Sequence, residues 1–303
     1  MLLVALTVVL ATAIGVFAEH HLNWAVRAAQ GCLSLMLYAL VPFVSYVSFA
    51  HLHLSLDAGV GLLLAYCGLA LAAMLTWWLG CRIGTPRPAL GGMIVCALLV
   101  NTGYLGYPMS VAFLGPGALS HAVAYDQVVS SPALFTAGFA VGAAFGRAEQ
   151  AAMSQRVRTF FTRNPPMWAA VAGLLVPTAW APHVLVTASH DVVDAMLVVG
   201  FLAVGIFLSS ERREDRAPLL EMPSRQVMVA LVGRFCVNPL LLGIVALAGV
   251  GIPSAYLLQA LMPSGINCLL VGHAYGLNQR MIATVIVWST IVVLVVATII
   301  YLA

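Results

Sequence analysis

The sequence predicts an all-α integral membrane protein of ten transmembrane helices, arranged as two inverted five-helix repeats with broken, crossing helices 4 and 9. Three observations carry that prediction. Hydrophobic residues fill 62% of the chain and charged residues only 8%, with a mean hydropathy of +1.03, whereas a soluble domain carries roughly 25% charged residues. Apolar stretches of about 20 residues, the length a helix needs to cross the hydrocarbon core, recur along the whole chain. All but one of the arginines fall in alternate connections between those stretches.

Read against Gly, Pro and charge breaks, the windows fall near 2–18, 28–50, 58–80, 89–115, 118–145, 165–182, 185–209, 224–250, 253–275 and 280–302. No basic segment precedes the first, so 2–18 reads as a span rather than a signal peptide. The connections are too short to bury a core of their own. The chain therefore reads as one transmembrane domain, 1–303.

All 13 basic residues are arginine. Arg27 follows window 1, and Arg82 and Arg87 separate windows 3 and 4. Arg147, Arg156, Arg158 and Arg163 separate windows 5 and 6, Arg212, Arg213, Arg216 and Arg225 separate windows 7 and 8, and Arg280 separates windows 9 and 10. Positive loops stay in the cytoplasm, so both termini are expected on the other side. The lack of lysine fits a GC-rich bacterial genome and hence the bacterial inner (plasma) membrane. Five windows on each side of the basic stretch make a first repeat 1–145, a cytoplasmic connector 146–163 and a second repeat 164–303. An odd number of helices per half inserts the halves in opposite orientations, the construction of many secondary transporters.

The fourth window of each half carries matching damage. Asn101-Thr102-Gly103-Tyr104-Leu105-Gly106-Tyr107-Pro108 interrupts window 4, and Pro263-Ser264-Gly265-Ile266-Asn267 interrupts window 9. Proline removes a backbone donor and glycine eases unwinding, and unwound backbone at this depth belongs where it lines a cavity or is covered by protein. Each break creates a helix N-terminus with free N–H groups and partial positive charge, suited to an anion such as a carboxylate. Asn101, Gly103, Pro108, Pro263 and Asn267 are the candidate substrate-binding residues, the two amides donating without adding fixed charge. A symmetric pair with an Asn in each favours this over two merely kinked helices.

Charges inside a membrane default to functional hypotheses. Asp126, with Gln127, falls within window 5 and is a candidate for binding a coupling proton or cation, the alternative being a solvated charge near the outer interface. Arg234 falls within window 8, where it would attract the anion, neutralise Asp126 or snorkel to the interface. Asp191 and Asp194 read as N-terminal helix charges of window 7. His51 and His53 do not make a metal site by themselves, and the six cysteines show no CxxC pair. Gly138, Gly142 and Gly146 read as a close-packing stripe within the chain ahead of an oligomer contact, and Trp24, Trp77, Trp78, Trp168 and Trp180 as an interfacial belt.

At its two breaks the sequence resembles the auxin efflux carrier family, which includes plant PIN-type carriers and bacterial malate or malonate permeases. Residues 101–108, followed by Leu114-Gly115, resemble the family's Asn-x-Gly-(Phe/Tyr)-x-Gly-x-Pro motif with its later Gly, and 261–276 resemble its second crossover. Arg163-Asn164-Pro165 and Pro42 also fit. The resemblance implies an elevator carrier for carboxylates, with windows 1, 2, 6 and 7 as scaffold and windows 3–5 with 8–10 as the moving unit. Two departures are the missing long cytoplasmic loop, which favours the bacterial branch, and His273-Ala274, where members often carry a more polar pair.

The expected function is thus a secondary transporter of a small organic anion, a mono- or dicarboxylate. A sodium-coupled symporter of the bile-acid type is the alternative. The bilayer, a coupling proton or sodium and a homodimer are the partners considered, with no cofactor, metal or nucleic acid. No HExxH or GxSxG motif suggests an enzyme.

Overall fold

The computed structural model describes residues 2–52, 55–146, 162, 164–215 and 222–302. His53, Arg147, Arg156, Arg158, Arg163, Arg216 and most of the 146–163 connector lie outside the described residues. Regular structure among the described residues is helical, apart from one isolated antiparallel bridge between Val100 and Ser264.

Every apolar window coincides with a helix or a broken helix. Windows 1 to 3 are α1 (Leu2–His21), α2 (Ala25–Ala50) and α3 (Leu56–Arg82). Window 4 divides into α4 (Arg87–Leu98) and α5 (Tyr107–Leu114), and window 5 is α6 (Pro116–Phe145). Windows 6 to 8 are α7 (Pro165–Leu175), α8 (His183–Asp215) and α9 (Arg225–Leu247). Window 9 divides into α10 (Ser254–Ala260) and α11 (Asn267–Tyr275), and window 10 is α12 (Gln279–Leu302).

Among the described residues, six stretches are long and apolar enough to cross a membrane as single helices: α2, α3, α6, residues His183–Phe207 of α8, α9 and residues Gln279–Ile300 of α12. The others are shorter, and α7 shows why. Val176 turns extended before Pro177, whose ring disfavours a helical predecessor, and a 3₁₀ turn, Thr178–Trp180, follows. Window 6 therefore holds 11 α-helical residues, about 16 Å of rise. At the next boundary Pro182 starts α8 early, its carbonyl accepting from Leu185 N–H at 2.8 Å. Asp191 and Asp194 consequently lie well inside α8 rather than at its N-terminus, which corrects the reading of them as terminal charges.

Among the described residues, three of the four five-residue π turns, Met36–Leu40, Thr102–Gly106 and Asp126–Ser130, end two residues before a proline, at Pro42, Pro108 and Pro132, whereas the fourth, Leu134–Gly138, does not. A proline cannot donate, and its ring pushes against the carbonyl four residues back. Lengthening the bonding by one residue relieves both, which is the usual setting of a π bulge.

The most extensive helix contacts are α1 on α8, α2 on α7 and α3 on α9. Each is a glycine contact. A Cβ on Gly205 would lie 2.1 Å from the Thr12 carbonyl and one on Gly15 2.2 Å from that of Leu202, so α1 and α8 touch backbone to backbone. Gly173 meets the Tyr46 carbonyl in the same manner, at 2.3 Å. Between α3 and α9, Gly68 receives the Asn238 side chain and Gly233 that of Thr76. The glycine stripe of α6 is used within the chain: Gly142 and Gly146 lie on Tyr275 and Gly138 on Leu99. Trp24, Trp77, Trp78, Trp168 and Trp180 all lie on the outer surface, and His51 Nε2 donates to the Ala181 carbonyl at 2.8 Å, tying the end of α2 to the turn after α7.

Candidate functional site at the paired breaks

The two breaks meet. Asn101 N–H donates to the Pro263 carbonyl at 2.8 Å and Gly265 N–H to the Leu99 carbonyl at 2.9 Å, so the unwound segments pair through main chain. Gly265 permits the approach, because a Cβ there would press on the Val100 carbonyl at 3.0 Å. Side chains satisfy the rest: Ser264 Oγ donates to the Cys96 carbonyl at 2.7 Å, and Ser264 N–H donates to Ser289 Oγ of α12 at 3.2 Å. Buried main-chain groups need such partners.

Two helix starts leave this pairing. Asn101 stands immediately before the π turn leading into α5, and Asn267 is the first residue of α11. Neither amide makes a side-chain hydrogen bond among the described residues; Asn101 is buried, whereas Asn267 is exposed. Gly103 borders open space, with nothing within 4 Å of where a Cβ would sit. Pro108 and Pro263 are buried in the frame. Two later glycines of the motif stretches have conformational reasons: Gly115 (φ 85°) turns the chain from α5 into α6, and Gly276 (φ 66°) ends α11.

Asp126 comes to the same place from the π turn of α6. Its carboxylate accepts from Thr102 Oγ1 in a short hydrogen bond, from Tyr107 OH at 2.6 Å and from Gln127 Nε2 at 3.1 Å. Thr102 opens the widened turn of the first break and Tyr107 follows it, so Asp126 grips that turn at both ends. Among the described residues its partners are neutral donors and no cation pairs with it. A carboxylate so placed can take up a proton or a metal cation. Gln127 Oε1 is buried beside it without a donor. On the far side of the turn Gln259 of α10 lies on Gly106, and its Nε2 donates to Ser110 Oγ at 3.5 Å.

Arg234 neither pairs with Asp126 nor snorkels. It is fully buried, with Nε donating to the Met262 carbonyl at 3.0 Å, Nη1 to the Ala97 carbonyl at 3.0 Å and Nη2 to the Ala260 carbonyl in a short bond. Those acceptors end α4 and α10, the helices that run into the two breaks. The structure thus gathers Asn101, Gly103, Pro108, Pro263, Asp126, Gln127 and Arg234 about the paired segments, with Asn267 opening the second helix. Sequence reasoning missed Thr102, Tyr107, Gln259 and Ser289. Pro132 was the available signal that the turn carrying Asp126 is widened. A separate cavity of about 340 Å³, lined by Leu114, Ala118, His121, Pro253, Ser254 and Ala255, holds none of the predicted residues.

An uncharacterized transporter of Methanocaldococcus jannaschii is 24% identical over 210 residues, 66% of this chain and 64% of the relative's length. The chain thus matches a little under two thirds of that relative. The model of the family described as membrane transport protein matches residues 148–301, just over half of the chain. The chain therefore belongs to the membrane transport protein family, that of the PIN-like auxin efflux carriers.

Proposed function

We propose that this protein is a secondary transporter that moves a small organic anion, a mono- or dicarboxylate, by elevator-type alternating access. The anion site is the junction of the two breaks. The observation that carries the reading is the main-chain pairing of Leu99–Asn101 with Pro263–Gly265, which brings the helix starts beside Asn101 and Asn267 to one place. The positive ends of the helices that start beside Asn101 and Asn267 attract the carboxylate, and the two amides donate to it.

Ten crossings in two inverted repeats remain the best account of the chain. Advancing five windows converts the α1–α8 contact into the α7–α2 contact and maps α3–α9 onto itself, as a two-fold relation requires. A numerical shift of 164 takes Val100 to its bridge partner Ser264 and exchanges the two hydrogen bonds of the bridge, and a shift of 165 takes Gly68 to Gly233. The most extensive contacts all fall within windows 1, 2, 6 and 7 or within windows 3–5 and 8–10, which supports a scaffold and a separate moving unit. Arg82, Arg87, Arg225 and Arg280 stand at helix ends, in keeping with cytoplasmic basic loops, non-cytoplasmic termini and a bacterial inner membrane.

Asp126 supplies coupling in this reading. Protonation removes a negative charge from beside an anion site and changes what Thr102 and Tyr107 hold. The second reading, a sodium-coupled symporter of the bile-acid type, is favoured by the donorless Gln127 Oε1 beside that carboxylate, a pair of oxygens that would suit a hard cation.

Counterflow tests the carrier reading. Purified protein in liposomes preloaded with unlabelled malonate, malate, lactate or acetate should accumulate the same labelled acid transiently, and uptake should saturate. Linear, non-saturating flux without counterflow would identify a channel and contradict the proposal.

A further inference from the structure

Arg234 carries an inference that rests on the anion-carrier reading and goes beyond it. A broken helix has two new ends: its N-terminal half finishes in unpaired carbonyls with partial negative charge, and its C-terminal half starts with positive N–H groups. Two breaks that meet therefore bring negative ends together as well as positive ones. Left alone, the two sets oppose each other, and the junction has no settled preference for an anion.

The guanidinium resolves that opposition. Its three bonds go to Ala97 of the negative end of α4 and to Ala260 and Met262 at the negative end of α10. One side chain thus serves both repeats. No carboxylate pairs with it among the described residues, and two of its five N–H donors have no acceptor there. A fully buried, unpaired cation is costly, and carbonyl dipoles offset only part of its charge. The remaining positive potential is felt at the breaks, a few residues further along both chains, where low dielectric strengthens it.

We propose that Arg234 sets the charge preference of the junction: it cancels the negative helix ends, ties them together and leaves the site selective for anions without itself touching the substrate. It is a positioning and specificity-determining residue. A lysine would keep the charge but cannot span three carbonyls in diverging directions.

The experiment compares each of malonate, malate, lactate and acetate with its own neutral amide, read as binding affinity to purified protein. Wild type should prefer at least one acid over its amide. Arg234→Gln should weaken that acid by about tenfold or more and leave the amide within about twofold, so the preference collapses. Arg234→Lys should keep the preference while lowering the melting temperature. Should Arg234→Gln fail to insert, Asn238→Asp supplies the same test with Arg234 in place. Asn238 is buried one turn further along α9, where its side chain lies on Gly68 and donates to Tyr125 OH, and a carboxylate there would set a negative charge one helical turn from the guanidinium and also lower the preference. An unchanged acid-to-amide ratio in inserted Arg234→Gln, or in Asn238→Asp, overturns the proposal while sparing the carrier. Wild type that binds none of the acids overturns the anion reading and this proposal with it.

Discussion

Asp126 was legible as a charge inside an apolar window, but what it does was not. Its partners Thr102 and Tyr107 come from a different helix and meet it only through tertiary packing. Arg234 was harder still, because its acceptors are main-chain carbonyls, which leave no mark in a sequence. The residues of the breaks themselves were readable, since proline and glycine act through local backbone geometry. For Asp126, replacement by Asn keeps shape and some hydrogen bonding but removes the titrating group. Asp126→Asn liposomes should lose pH-dependent net uptake yet retain exchange of substrate. If uptake instead loses its dependence on sodium, the bile-acid-type alternative is the better account. An unchanged response to both ions would make Asp126 a structural anchor of the π turn.

Among the elements, helices were foreseeable nearly everywhere, and their interruptions were foreseeable in part. The window boundaries matched the helices because apolar length and terminal arginine are both consequences of crossing a bilayer. At two boundaries proline decided the difference: Pro177 shortens α7 and Pro182 starts α8 early. Glycine contacts could be suspected for the stripe in α6, but the partner of an isolated glycine such as Gly205 is a matter of how two helices cross. Gly205→Ala would drive a Cβ to 2.1 Å from the Thr12 carbonyl, and main chain on both sides leaves no flexible group to yield. Overpacking of this kind costs about 1–3 kcal/mol, so the mutant should melt at a lower temperature in detergent. Gly243 in α9 has nothing within 4 Å, and Gly243→Ala should be neutral or slightly stabilising, because alanine is the better helix former. Equal melting temperatures for the two mutants would mean that α1 and α8 are not in backbone contact.

At the scale of the whole molecule, the proposed repeat was legible as arithmetic on windows and arginines rather than as similarity between the halves. The crossing of the two broken helices was expected, but the register in which they pair was not legible, because nothing local requires Val100 and Ser264 to be neighbours. The central claim is that both halves contribute to one anion site, and affinity for the preferred carboxylate, measured on inserted, monodisperse Asn101→Ala, Asn267→Ala and the double mutant, tests it most directly. A hydrogen bond to a charged group is worth about 1.5–3 kcal/mol, so each single mutant should bind about ten- to a hundred-fold more weakly. The double mutant should fall further, and Asp at either position should be worse than Ala. Wild-type affinity in both single mutants would place the anion away from the paired breaks and contradict the account.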